Sequence, residues 1–184
     1  RDSHKPLNEL FTNNKIVKST LVDVAVAGKT IKVGLVGATT KNLSFISSPS
    51  PVSVDIDVAS KVQSEVNSLS ANGAKGIILV SHLQGVTEEL SLLTQVSGVD
   101  VVVAGGGGDN LLANPSDKLV PGDYAQGSYP LIGVDKDGSV VPVVTVEGQL
   151  KYIGRLTLNI SSSGDVTGWS GGPNRVVDSA IDQF

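Results

Sequence analysis

The chain has 184 residues, 40% of them hydrophobic and 4% aromatic, with a formal charge of −4. That length holds one domain with a sizeable core, and the apolar content excludes a disordered chain. The 14 Lys and Arg residues are scattered and form no basic stripe, which excludes a nucleic-acid polymer as partner, and no apolar run reaches the roughly 18 residues of a membrane-spanning helix.

With so few aromatics the core must come from Val, Leu, Ile and Ala, a composition that favours sheets. Cysteine is absent, so no disulfide or thiolate metal site exists. Methionine is absent too, no signal peptide is visible, and Arg1-Asp2-Ser3-His4-Lys5-Pro6 reads as the interior of a longer protein. Residues 1–15 are therefore expected to be a lead-in from a processed or cut chain.

Ser19–Val26 and Thr30–Val36 are apolar-rich runs separated by Ala27-Gly28-Lys29, the spacing of a β-hairpin. The second run continues into Gly37-Ala38-Thr39-Thr40, a glycine-containing turn. Residues 41–57, rich in Ser and Pro, read as a surface excursion. Val58, Val62, Val66 and Leu69 recur at helical spacing, with Asp57 as N-cap and Asn72-Gly73 as stop. Gly76–Val80 predicts a strand, Glu88–Val96 a second helix and Asp100–Ala104 a second buried strand. This alternation implies a parallel sheet with helices packed on it.

After Gly105 the pattern changes. Residues 105–128 form a long loop with six glycines. Short β runs at Pro130–Val134, Val140–Glu147 and Ile153–Ile160, with turns at Asp137-Gly138 and Ser163-Gly164-Asp165, predict an antiparallel tail. Pro173 onward reads as an exit segment. The expected fold class is α/β, with a parallel first half and an antiparallel second half.

Ligands of open parallel sheets sit beyond the carboxyl ends of strands. Three such ends are Gly37-Ala38-Thr39-Thr40, Ser81-His82-Leu83-Gln84-Gly85 and Gly105-Gly106-Gly107-Gly108-Asp109-Asn110, and at least the last two are expected to lie together. His82 follows its strand by two residues, where an imidazole serves as metal ligand or general acid/base; the alternative is a solvated loop histidine. The glycine run can cradle phosphate with its N–H groups, permit close backbone approach, or be a plain loop. It is neither a P-loop nor G-x-G-x-x-G. Asp109 is a hard oxygen ligand or an Asx turn. Asp100 reads as a turn or cap residue and His4 as solvated. No Gly-x-Ser-x-Gly elbow occurs. Asn159-Ile160-Ser161 fits the N-glycosylation pattern, and Trp169 reads as packing.

Taken in order, these segments resemble the 5′-nucleotidase family of metallophosphoesterases (calcineurin-like phosphoesterase domain). Lys32–Thr40 looks like its strand ending in Gly-x-Thr-Thr, and Gly76–His82 like the strand delivering a metal-binding histidine. Val99–Gly105 resembles the strand before the family's Gly-His-x-His motif. Tyr129-Pro130 and Val141–Val144 resemble the following hairpin, Ile153–Leu156 the closing strand and Gly168-Trp169-Ser170-Gly171 the exit. The resemblance covers residues 16–173, taken as the C-terminal half of the metallophosphoesterase domain, with 174–184 as exit segment.

It implies half of a four-layer αββα sandwich and a site of two divalent metal ions of unspecified identity, which clamp the attacking and leaving oxygens of phosphoryl transfer. His82 and Asp109 are then the metal ligands, with Gly107, Gly108 and Asn110 lining the phosphate pocket. The implied partners are the missing N-terminal half and a small phosphorylated substrate, and the implied location is periplasmic or extracellular. The family's Asp-x-His, Gly-Asp and Gly-Asn-His-Glu/Asp motifs are absent, and Gly106 and Gly108 stand in the Gly-His-x-His region. The expectation is therefore a hydrolase fragment inactive in isolation; the alternative is a catalytically dead phosphate- or nucleotide-binding or structural module.

Overall fold

A computed structural model describes residues 5–26, 28–106, 110–161 and 165–176, apart from the side chains of 5–7. Helix α1 (Lys5–Thr12) opens the chain, inside the stretch read as a lead-in. Strands β1 (Ser19–Val26) and β2 (Lys29–Thr39) form the expected antiparallel hairpin, closing at Val26 opposite Lys29. The surface excursion carries one short helix, α2 (Leu43–Ile46).

Helix α3 (Val58–Ala71) starts at Asp57, whose Oδ1 accepts the Ser60 N–H at 3.2 Å, and stops at Asn72 before Gly73 with φ +91°. It buries Val62, Val66 and Leu69 against the sheet. The approach is close at Gly34, where a Cβ would lie 2.9 Å from Leu69 Cδ1. Strand β3 (Gly76–His82) follows, and then α4 (Val86–Leu93). This helix begins two residues before the expected Glu88 because Gly85, at φ +136°, turns the chain directly into it. It also ends before Val96: the Gln95 and Val96 N–H groups bond three residues back, a tightened final turn.

Strand β4 (Val101–Ala104), β5 (Leu131–Val134) and β6 (Val140–Val144) complete a six-stranded sheet in the order β1-β2-β3-β4-β6-β5. The β2–β3–β4 core is parallel as expected. Strands β5 and β6 pair antiparallel, while β6 also lies parallel to β4, through Val102↔Val143 and Val103↔Val144.

Strands β7 (Tyr152–Ile160) and β8 (Val166–Arg175) form a separate antiparallel sheet. Strand β8 contains the Gly168-Trp169-Ser170-Gly171 segment read as the exit and runs through Pro173. Its glycines conceal a strand pattern, yet one is required: a Cβ at Gly171 would sit 1.9 Å from the Arg155 carbonyl oxygen.

Helices α3 and α4 cover one face of the large sheet, and Val36, Leu79, Val102 and Val143 are buried beneath them with Leu93. Because side chains alternate across a strand, Val22, Val24, Val80 and Val103 point to the other face, where they are 41%, 37%, 47% and 40% exposed. A small cluster of Leu112, Tyr129 and Val144, packed with Val146 and Leu156, ties the β7–β8 sheet to the end of β6.

The glycine-containing loop is packed rather than extended. Leu111 and Leu112 are buried, Ala113 N–H donates to Gly127 O at 2.9 Å, and Gln126 N–H to Leu111 O at 2.8 Å. Its far end is clamped by Tyr152, whose Oη donates to Asp123 Oδ2 and accepts the Val120 N–H, both at 2.7 Å. Lys151 Nζ donates to Asp123 Oδ1 at 2.8 Å and lies 2.7 Å from Glu147 Oε1. A Tyr152→Phe exchange, which removes both bonds of the hydroxyl, is expected to cost about 1–2 kcal/mol in chemical denaturation.

The Lys151 ammonium and then the Tyr152 hydroxyl hold the Asp123 carboxyl below its ordinary 3.8. A depressed acid contributes stability above its unfolded-state value and loses it as pH falls through the folded one. The stability gap between the native protein and Asp123→Asn should therefore close on acidification below about pH 4, a change that thermal melts across pH 2–6 would measure.

Candidate active-site rim

Three strand ends meet at one rim. Thr39 and His82 are register partners on β2 and β3, and the Thr40 N–H donates to the His82 carbonyl at 3.0 Å. On the other side of β3, Gly105 N–H donates to Ser81 O at 2.8 Å. Gly106 lies so close to the loop after β3 that a Cβ there would sit 1.6 Å from Leu83 O. Of the three readings of the glycine run, close backbone approach is therefore the one realised at Gly106. Asn110, half-buried, returns to the same loop: a Cβ at Gly85 would be 3.8 Å from its Nδ2.

His82 is exposed and alternates with the buried Leu79 and Ser81, so its imidazole shares the face of Val80, away from the helices. Asp109, Gly107 and Gly108 lie outside the described residues. Among the described residues, no group of three or more His, Cys, Asp or Glu side chains could surround a metal ion. The rim fits a metal site only as a contributor: His82 offers one imidazole at a strand end, a ligand type that zinc and related ions take. The grooves flanking α3 do not include His82; the larger, of about 700 Å³, reaches Thr39 from the side of α1.

Behind the rim is a polar layer that the sequence did not announce. Glu88 Oε1 accepts from Asn42 Nδ2 at 3.0 Å, and its Oε2 accepts from Thr40 Oγ1 at 3.5 Å and the Gln84 N–H at 3.4 Å. Glu88 thus joins the loops after β2 and β3. Glu89 is fully buried, and its Oε1 accepts the Ser81 hydroxyl at 2.8 Å. Burial pushes the Glu89 carboxyl above its ordinary value. The one available signal was periodic: Glu89 sits three residues after Val86 and three before Leu92, within the buried stripe of α4.

No family model matches the chain. Among curated proteins it is 36% identical over 142 residues to the 5′-nucleotidase of Homo sapiens and 35% identical over 142 residues to a snake venom 5′-nucleotidase of Crotalus adamanteus. Each alignment covers 77% of this chain and 24% of the relative. Among solved structures, a 5′-nucleotidase precursor from Thermus thermophilus superposes with a TM-score of 0.72 at 29% identity, over 84% of this chain and 29% of that one. The chain belongs to the 5′-nucleotidase family of metallophosphoesterases. The matched part is the C-terminal portion of the family domain, as its ordered motifs implied. The chain spans about a quarter of the length of the curated 5′-nucleotidases it matches. Within that family portion, the mixed sheet with helices on one face and the separate β7–β8 pair form half of the layered sandwich.

Proposed function

We propose that this chain is part of a metal-dependent phosphoester hydrolase acting on nucleotides or related phosphomonoesters, inactive until joined by the preceding half of its domain. One observation carries the reading. The ends of β2, β3 and β4 converge on one rim, where the His82 imidazole faces the side of the sheet on which Val22, Val24, Val80 and Val103 remain exposed. That side is where a second layer would bring the remaining metal ligands.

In this reading His82 is a metal ligand, Asp109 supplies an oxygen ligand, and Gly107, Gly108 and Asn110 line the phosphate pocket. Two divalent ions would polarise the phosphoryl group and activate the attacking water. The chain's own task is to hold the imidazole and the phosphate-facing backbone in place. A periplasmic or extracellular location goes with it, supported by the venom relative; no helix among the described residues is long and apolar enough to cross a membrane.

The test is a phosphatase assay on the chain joined to the preceding half, with Mn²⁺, Co²⁺ or Zn²⁺ and a nucleoside monophosphate. Metal-dependent turnover is expected, and Asp109→Ala should lower the bound metal. The chain alone should associate through its uncovered face; a stable monomer by size exclusion and mass spectrometry would count against the missing layer.

A second reading, a catalytically dead phosphate- or nucleotide-binding module, is favoured by Gly106. The backbone there leaves no room for a ligating side chain. Phosphate binding without turnover in the same assay would select it.

A further inference from the structure

We propose that Glu89 is a positioning residue for the His82 imidazole, anchoring from beneath the residue that precedes it. The inference rests on the reading of His82 as a metal ligand. Ser81, on one side of His82, donates its hydroxyl to Glu89 Oε1 at 2.8 Å. One side chain of α4 therefore fixes the chain immediately before the imidazole.

The other supports of this turn are the Thr40 N–H on the His82 carbonyl, Gly106 seated against Leu83 O, and the half-buried Glu88 carboxyl on the Gln84 N–H. Glu89 is the fully buried carboxyl among them. Its position is costly for a residue that only fills space. It has no exposed surface, and its Oε2 has no hydrogen-bond partner. The stripe around it is Val86, Leu92 and Leu93. A leucine in that stripe would pack without burying an unpaired polar atom. What a leucine cannot do is accept the Ser81 hydroxyl and so hold the backbone from which the imidazole projects. Groups behind a metal-ligating histidine commonly fix its orientation, and here Glu89 would do so through the backbone of the preceding residue.

The test uses the chain joined to the preceding half of its domain, with Mn²⁺ or Co²⁺ as the probe. Metal dissociation constants and amide exchange over residues 81–83 are measured for five variants. Glu89→Leu keeps the volume and removes the acceptor; it should weaken metal binding about 10–100-fold and speed exchange over residues 81–83, without lowering the melting temperature. Glu89→Gln keeps an acceptor oxygen and should stay within about threefold of the native affinity. Ser81→Ala removes one donor and should fall between them. On a His82→Ala background, Glu89→Leu should add nothing.

Native affinity in Glu89→Leu together with lost affinity in His82→Ala overturns the positioning role and leaves the ligand reading standing. Native affinity in His82→Ala overturns both. If Glu89→Leu does not fold, Ser81→Ala decides, and unchanged affinity there sinks the proposal.

Discussion

Replacing His82 with alanine is expected to lower metal-dependent turnover by about 10³-fold in the completed domain, equivalent to about 4 kcal/mol of lost transition-state stabilisation. The size follows from what a ligand does in a two-ion site. Removing one imidazole loosens one ion, and the charge developing on the transferring phosphoryl group then loses part of its clamp. The fold should not suffer. The imidazole is exposed and makes no hydrogen bond among the described residues, while the turn is held through the His82 carbonyl and its two neighbours. Metal content by atomic spectroscopy and the melting temperature separate the two effects. Depleted metal with an unchanged melting temperature is the expected pair, and intact metal content with full turnover would remove His82 from the site.

The second large effect is structural. Gly106→Ala should destabilise the protein by about 3 kcal/mol, at the upper end of the overpacking range, and lower the melting temperature by about 6–12 °C. The added methyl would overlap the Leu83 carbonyl oxygen, which is backbone and cannot swing aside as a side-chain end can. The loops after β3 and β4 must separate to admit it. Because Gly105 N–H on Ser81 O lies one residue away, that separation also strains this bond between β4 and β3. Gly106→His should fare no better, so an imidazole at this position will not restore the family's histidine motif. A variant as stable as the native protein would show that the two loops are not in contact.

Glu89 shows where sequence reasoning stopped. Two adjacent glutamates in the first turn of a helix suit the helix dipole and invite a solvated interpretation. Glu88 nearly meets it, half-solvated and bonding Asn42. Glu89 does not, because the register of α4 turns it onto the sheet beneath Ser81. That outcome depends on a helix start two residues earlier than the pattern suggested, and boundaries are the least legible part of any sequence. The same holds for β6: its run of valines predicted a strand, but its place beside β4 depends on which edge remains free once β1–β2 occupies the other side.

By itself the sequence determined the β1–β2 hairpin, α3 with its Asp57 cap, the parallel β2–β3–β4 order and the family, because each is written in local periodicity, capping chemistry or motif order. The tertiary structure alone decided that Thr40, His82 and Gly106 share one rim, that Glu89 lies buried behind it, and that Val22, Val24, Val80 and Val103 on the opposite face of the sheet stay exposed. The first of these depends on distances between segments 20 or more residues apart, and all depend on packing, which no local pattern encodes.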